Sequence, residues 1–187
     1  LGIEVNILPA AIEGCRNRSG RIVAVINDQM PYTFGDAQVP VEAVDVAIEV
    51  SEPLPAHDPV APDADSSAIG ERVASRVSDG STLQMGIGGV PDATLNALTG
   101  RRGLRIWTEM FSDGVLNLDE RGCLSTELPL TASFIFGSQK LYDWLDHNQR
   151  VRMMRTEIVN DPARIAKQRI MTSVNGALQV DLSAQAN

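Results

Sequence analysis

The sequence predicts an α/β protein with an open, mostly parallel sheet and helices on both faces. Three observations carry this expectation. Short apolar runs of strand length alternate with segments whose apolar residues recur at helical spacing. The composition is 43% hydrophobic but only 4% aromatic, with Val, Ile, Leu and Ala spread among 15 glycines and 10 prolines. That mixture suits alternating buried strands and helices better than a disulfide-held scaffold or a helical bundle. Finally, Leu83-Gln84-Met85-Gly86-Ile87-Gly88-Gly89-Val90-Pro91-Asp92-Ala93 reads as an apolar strand running through a glycine turn straight into a helix.

Residues 9–16 read as a short helix, and Arg21-Ile22-Val23-Ala24-Val25-Ile26 as a buried strand because its apolar run is continuous. Residues 27–36 are polar and rich in turn formers, so they form a loop leaving that strand. Val44-Asp45-Val46-Ala47-Ile48 is a further strand. Residues 51–65 carry Pro53, Pro55, Pro59 and Pro62, which resist both helix and central strand and mark a linker. Ser66-Ser67 can then cap a helix with Ile69, Val73 and Val77 on its apolar face, ended by Asp79-Gly80. Thr82-Leu83-Gln84-Met85 is the strand before the glycine turn, and Pro91 is expected at the first helical position, where its missing N–H costs nothing.

Leu104-Arg105-Ile106-Trp107 reads as a strand delivering Thr108-Glu109-Met110-Phe111-Ser112-Asp113-Gly114 into a loop. Ala132-Ser133-Phe134-Ile135-Phe136 is another strand, and residues 138–146 a helix with Leu141 and Leu145 four apart. Residues 151–154 are short and extended, and Asn160-Asp161-Pro162 is a strong helix start. Leu178-Gln179-Val180-Asp181-Leu182 reads as a strand with Gln179 and Asp181 on one face and Leu178, Val180 and Leu182 on the other.

The formal charge of −8 leaves no basic field for a phosphate backbone, and Arg101, Arg102 and Arg105 are too few to reverse it. Nucleic acid is therefore not expected as a partner. An anionic small molecule is compatible, since a local nest of amides outweighs a distant net charge. Cys15 and Cys123 lie far apart without a CxxC partner and read as free thiols of a reducing, cytoplasmic compartment. No run approaches the roughly 18 apolar residues that cross a bilayer, so no membrane association is expected. Leu1 is not an initiator Met and a strand-like run stands close to the end, so the expectation is a domain, a processed product or part of a larger protein.

The run Gly86-Ile87-Gly88-Gly89 points backbone N–H groups at one spot, a place to hold an anion or a developing oxyanion. A tight turn with no ligand is the alternative. A dinucleotide site is disfavoured because Pro91 occupies the third glycine position of GxGxxG, and no GK[ST] makes a P-loop. Glu109, immediately past a strand and beside Thr108, Ser112 and Asp113, can bind substrate or act as nucleophile or base; a solvated or capping acid fits the spacing equally. Gln179 offers a carboxamide that can orient a carbonyl but cannot serve as a carboxylate nucleophile. His57 and His147 show no spacing that argues a triad or a metal site, and no metal is expected.

Six segments, in order, carry a resemblance: residues 27–36 (NDQMPYTFGD), 83–92 (LQMGIGGVPD), 108–114 (TEMFSDG), 131–142 (TASFIFGSQKLY), 159–162 (VNDP) and 173–187 (SVNGALQVDLSAQAN). Together they resemble the acetyl-CoA hydrolase/transferase family, which includes 4-hydroxybutyrate and acetate CoA-transferases that work through a glutamate. The resemblance implies a CoA-transferase-like fold of two related α/β domains, usually a homo-oligomer, acting on short-chain acyl-CoA and a small carboxylate with coenzyme A as substrate. It implies that residues 1–50 are the remainder of a first domain, 51–65 a linker, and 66–187 a second domain incomplete at its C-terminus. It also implies that Gly86, Gly88, Gly89 and Asn175 border the CoA and oxyanion region and that Glu109 lies on the substrate side. The family motif resembles NSAIEVDLTGQVN, which puts Gln179 where the nucleophilic glutamate stands. The expected function is thus CoA transfer or acyl-CoA hydrolysis, inactive where Gln179 replaces that glutamate. The alternative is a non-catalytic, CoA-transferase-like chain that completes a partner.

Overall fold

In the computed structural model, which describes residues 1–186, each named strand pair is parallel. Helix α1 (Leu8–Asn17) carries a proline in its first turn, where no intrahelical N–H bond is lost. Strand β1 (Val23–Asn27) pairs with β2 (Val46–Val50), Val23 opposite Val46. The continuous apolar run of β1 predicts burial, but Val23 and Val25 are 60% and 64% exposed. The reason is that β1 and β2 form a separate two-stranded sheet whose apolar side chains have no covering layer among the described residues.

The proline-rich stretch is irregular up to α2 (Ala64–Ala74). The cap of this helix falls on Asp63 rather than on Ser66-Ser67, because the Asp63 carboxylate accepts the Ser66 N–H at 2.7 Å. Of the predicted face, Val73 packs against the core and Val77, just past the helix, is buried, joined by Gly70 and Ala74, whereas Ile69 is exposed. Strand β3 (Thr82–Met85) then runs through the glycine turn into α3 (Gly89–Ala97). Pro91 is third in this helix rather than first, since Gly88 is the N-cap; the first four N–H groups lack helical partners, so the proline still breaks no helical bond.

The chain continues through β4 (Arg105–Ile106), β5 (Met110–Phe111), α4 (Asp113–Glu120), β6 (Leu130–Ala132) and β7 (Phe134–Ile135). It ends through α5 (Gln139–Leu145), β8 (Val151–Met153), α6 (Thr156–Val159), α7 (Pro162–Ile165) and β9 (Met171–Val174). Strand β3 lies between β4 and β9; β6 pairs with β8 and β5 with β7. A parallel bridge between Trp107 and Thr131 joins the first set to the second, so the strands form a staggered parallel sheet flanked by helices. The expected strand over 104–107 is β4, but the expected loop 108–114 instead holds β5 and the start of α4. The chain thus breaks at Thr108 between β4 and β5 and again at Ser133, within the strand expected over 132–136. Around Thr108 the hydroxyl replaces a ladder partner, and at the other break the Glu109 carbonyl accepts both the Ser133 and Phe134 N–H groups, at 2.7 and 2.9 Å.

The partner of β3 on its far side is β9, which the sequence pattern does not announce. Residues 178–182 are not a strand: Leu178 is 94% exposed, and Val180 makes only a single antiparallel bridge to Ala186. The Asp181 carboxylate instead accepts the Ser183 and Gln185 N–H groups at 2.8 and 2.9 Å, which bends the chain into a turn. Gln179 and Asp181 therefore do not share a strand face. Asn187, the last residue of the motif, lies outside the described residues.

The core gathers Leu83, Leu95, Leu98, Phe111, Leu118 and Leu141, and Val5 and Ala37 from the first part of the chain belong to the same cluster. Each such large side chain contributes about 1.5–3 kcal/mol by leaving water. Cys15 and Cys123 are free thiols. No helix among the described residues is long and apolar enough to cross a membrane.

Candidate active site

Parallel strands deliver their carboxyl ends to one edge, and β3 ends there at Met85. The turn after it is pinned from both neighbours. The Met85 N–H donates to Thr108 Oγ1 at 3.1 Å on the β4 side, and the Gly86 N–H donates to the Val174 carbonyl at 2.8 Å on the β9 side. Gly88 has φ +112°, a left-handed conformation that favours glycine. A Cβ on Gly86 would stand 2.6 Å from Asn175 Oδ1, so a close approach also demands glycine there. The first N–H groups of α3 have no helical acceptor and carry the positive end of the helix dipole, and Gly88 and Gly89 are exposed to receive a partner.

These two glycines open onto a cavity of about 1000 Å³. Its walls include Asp92 of α3, Ser112 and Asp113 at the start of α4, and Ser138 at the start of α5. The proline-rich segment crosses it as a strap, held by the His57 N–H to the Gly137 carbonyl and by Tyr142 Oη to the Pro55 carbonyl, both at 2.9 Å. Ser112 Oγ donates to Asp92 Oδ1 at 3.2 Å. Burial pushes the Asp92 carboxyl up; the Ser112 hydrogen bond opposes this and the nearby Asp113 charge adds to it. Asp113 accepts the Ser138 N–H at 2.9 Å and the Ser138 hydroxyl. Lys140 on the rim is paired with Glu120 at 2.6 Å.

The residues singled out from sequence divide into groups. Gly88 and Gly89 line the cavity, and Gly86 lies against Asn175 just beside it. Asn175 is exposed and bonded to Gln84, with Asn175 Nδ2 donating to Gln84 Oε1 at 3.0 Å. Glu109 stands apart from the cavity wall: it is exposed and its carboxylate accepts from Asn160 Nδ2 at 2.9 Å. Gln179 is exposed, and among the described residues its side chain makes no hydrogen bond. Sequence reasoning passed over Gln84 and Ser173, which join Asn175 at the strand ends; a polar residue between the buried Leu83 and Met85 was the available signal.

His147 stacks on Tyr32 at 4.9 Å with its Nδ1 3.0 Å from Asp146. The Tyr32 N–H, followed by His147, holds the Asp146 carboxyl below its ordinary range. Among the described residues no group of three or more His, Cys, Asp or Glu side chains could hold a metal ion.

Residues 137–187 match the family model described as the acetyl-CoA hydrolase/transferase C-terminal domain. The chain is similar to the 4-hydroxybutyrate coenzyme A transferase of Clostridium kluyveri, at 38% identity over 88% of this chain and 40% of that protein. It is also similar to the succinyl-CoA:acetate/propanoyl-CoA:succinate CoA transferase of Fasciola hepatica, at 35% identity over 100% of this chain and 40% of that one. Among solved structures, the 4-hydroxybutyrate CoA-transferase of Porphyromonas gingivalis aligns at TM-score 0.86 and 36% identity, covering 97% of this chain and 47% of that chain. RipA from Yersinia pestis aligns at TM-score 0.91 and 27% identity, covering 100% and 43%. The chain thus spans about 40% of the length of the curated relatives it matches. With the fold and these similarities together, the chain belongs to the CoA-transferase/acetyl-CoA hydrolase family.

Proposed function

We propose that this chain supplies the acyl-CoA-handling part of a short-chain acyl-CoA:carboxylate CoA-transferase or acyl-CoA hydrolase. The observation that carries the reading is the 86–89 turn, which presents unpartnered helix N-terminal N–H groups at the carboxyl edge of the sheet beside a cavity of about 1000 Å³. In this reading the turn stabilises the oxyanion that forms when a thioester carbonyl is attacked. Gly86, Gly88, Gly89 and Asn175 border the CoA thioester, and Glu109 lies toward the acid substrate. Residues 66–187 make up one α/β domain reached through the linker 51–65, and residues 1–50 are the remainder of a first domain, although Val5 and Ala37 of that part pack into the common core. The whole protein works as a cytoplasmic homo-oligomer, with coenzyme A as substrate and no resident metal.

The family chemistry starts with a glutamate carboxylate attacking the thioester carbonyl, which gives an acyl-glutamyl anhydride and CoA thiolate. The thiolate attacks the glutamyl carbonyl, releases the first acid and leaves a glutamyl-CoA thioester. The incoming carboxylate displaces CoA thiolate from it to give a second anhydride, and the thiolate attacks the new acyl carbonyl, forming the product acyl-CoA and freeing the glutamate. Gln179 occupies the glutamate's place by resemblance, and a neutral carboxamide, its nitrogen lone pair delocalised, cannot make the first bond. The chain as it stands is therefore silent in transfer while keeping the binding surface.

Exchange of labelled acetate into acetyl-CoA, measured beside CoA affinity on this protein and on Gln179→Glu, tests the reading. Exchange in the variant alone supports it. Failure to bind CoA or its esters in both proteins would falsify it. The exposed apolar side chains of β1 and β2 favour a second reading, a non-catalytic chain that completes a partner subunit; binding without exchange in Gln179→Glu would select it.

A further inference from the structure

We propose that Gln84 is a positioning residue, one that fixes the direction in which the segment bearing Gln179 leaves the sheet. Gln84 stands opposite Ser173 in the parallel register of β3 and β9. Both ends of its carboxamide are engaged. Oε1 accepts from the Ser173 hydroxyl and from Asn175 Nδ2 at 3.0 Å, while Nε2 donates to Asn175 Oδ1 at 3.2 Å. Asn175 Nδ2 also lies 3.0 Å from Ser173 Oγ. Two planar amides bonded in both directions cannot rotate independently, as they could around a single hydrogen bond.

Asn175 is the first residue beyond β9, so its side chain sets the heading of residues 176–180. On one side it packs against the turn: Gly86 donates its N–H to the Val174 carbonyl at 2.8 Å and has room for no Cβ beside Asn175. On the other side residues 176–180 are exposed, and Gly176 meets nothing within 4 Å of where a Cβ would be. Further on, the chain is held within itself by the Asp181 carboxylate and by the Asp181 N–H to the Gln185 carbonyl at 3.0 Å. The amide pair is thus the last side-chain tie to the sheet before an unsupported stretch, and a small rotation at Asn175 swings the whole turn that contains Gln179. Leu83 and Met85 point into the core while Gln84 is only half-buried, so its replacement opens no core cavity.

The importance of this device rests on the reading of position 179 as the nucleophile's place, but its geometry can be measured without any CoA chemistry. Nitroxide labels on Gln179→Cys and Ala97→Cys, in a Cys15→Ser background, report the segment's distance from α3 by pulsed electron paramagnetic resonance. Gln84→Leu should broaden or shift that distance distribution at an unchanged melting temperature. Asn175→Ala, which breaks the pair from outside the strand, should do the same. Gln84→Glu keeps the acceptor for Ser173 and Asn175 and should restore a narrower distribution. Superimposable distributions in all four proteins would overturn the proposal, whether or not the chain binds CoA. In the Gln179→Glu protein, Gln84→Leu should lower kcat for exchange on the order of ten-fold with KM unchanged; an unchanged kcat would equally overturn it. Were Gln179→Glu to show no exchange, the catalytic reading alone would fail and the label distances would still decide the positioning role.

Discussion

Gly70 of α2 rests directly on the backbone of Ala93 in α3: a Cβ at position 70 would stand 2.7 Å from the Ala93 carbonyl carbon and 2.9 Å from the Thr94 nitrogen. Backbone cannot yield as a flexible side-chain tip does, so Gly70→Ala must push the helices apart. Overpacking of this kind costs about 1–3 kcal/mol, and each kcal/mol lowers the melting temperature of a chain this size by about 2–4 °C. The N-terminus of α3 is the candidate oxyanion cradle, so affinity for a CoA ester should fall together with stability. A Gly70→Ala protein that melts at the parent temperature would show that the two helices separate freely.

The junction at the heart of the site was legible because two independent signals coincide: Leu83 and Met85 supply the apolar strand, and the glycines after them permit a backbone no other residue adopts easily. The edge strand β9 was not. Met-Thr-Ser-Val is short and its pattern is weak, and what makes it a strand is the waiting edge of β3, a tertiary fact. The converse error fell on residues 178–182. Leu178, Val180 and Leu182 alternate as a half-buried strand does, but alternation buries a face only where a sheet edge and a covering layer exist, and here β9 ends the set. The same lack of a cover leaves Val23 and Val25 exposed despite a continuous apolar run. Within the site, the glycines could be read from local backbone demands, whereas the Gln84, Ser173 and Asn175 network depends on strand register.

Thr108 is almost fully buried, and its hydroxyl accepts the Met85 N–H at 3.1 Å while lying 2.9 Å from the Met110 carbonyl that it can donate to. Thr108→Val keeps the shape and removes the hydroxyl, which leaves a buried N–H without its acceptor. The cost should be about 1–3 kcal/mol, read as a lower urea midpoint. Hydrogen exchange at the Met85 amide should rise more than at Leu83, which lies deeper in β3. Equal protection at the two amides would mean that another group takes over from the hydroxyl.

Asp92 is the carboxylate on which burial acts most plainly. Desolvation, with a smaller push from Asp113, raises its pKa above the ordinary 3.8 despite the Ser112 hydrogen bond. A carboxyl raised in the folded state contributes stability below its unfolded pKa and loses it as pH rises through the folded value. Ionised Asp92 therefore weighs against folding at neutral pH. Asp92→Asn, whose side-chain oxygen still accepts from Ser112, should gain stability over the parent from about pH 4 upward and hold that gain at pH 7. Urea unfolding at the two pH values measures it. A variant less stable at pH 7 than at pH 4, relative to the parent, would show that the hydrogen bond outweighs burial.

Tyr142 ties the proline-rich strap to the cavity it crosses. Its hydroxyl donates to the Pro55 carbonyl at 2.9 Å and lies 3.4 Å from the Gly137 N–H, while the Gly137 carbonyl accepts the His57 N–H at 2.9 Å. Burial, with Asp113 nearby, holds the phenol above its ordinary range, so it remains a donor at pH 9. The ring is packed in the core, so Tyr142→Phe leaves the packing in place and removes only the hydroxyl. A net hydrogen bond of this kind is worth about 1 kcal/mol, which corresponds to roughly a five-fold change in a local opening equilibrium. The His57 amide is the natural reporter, because it sits on the strap and is bonded to the residue next to Tyr142's own helix cap. Its exchange should quicken by about that factor while amides in β3 keep their protection. Since Asp58 and Pro59 form part of the cavity wall, a loosened strap should also speed release of a bound CoA ester. An unchanged His57 amide would place the strap's anchor elsewhere, on the prolines themselves, whose restricted φ would then hold the segment across the cavity without the tyrosine.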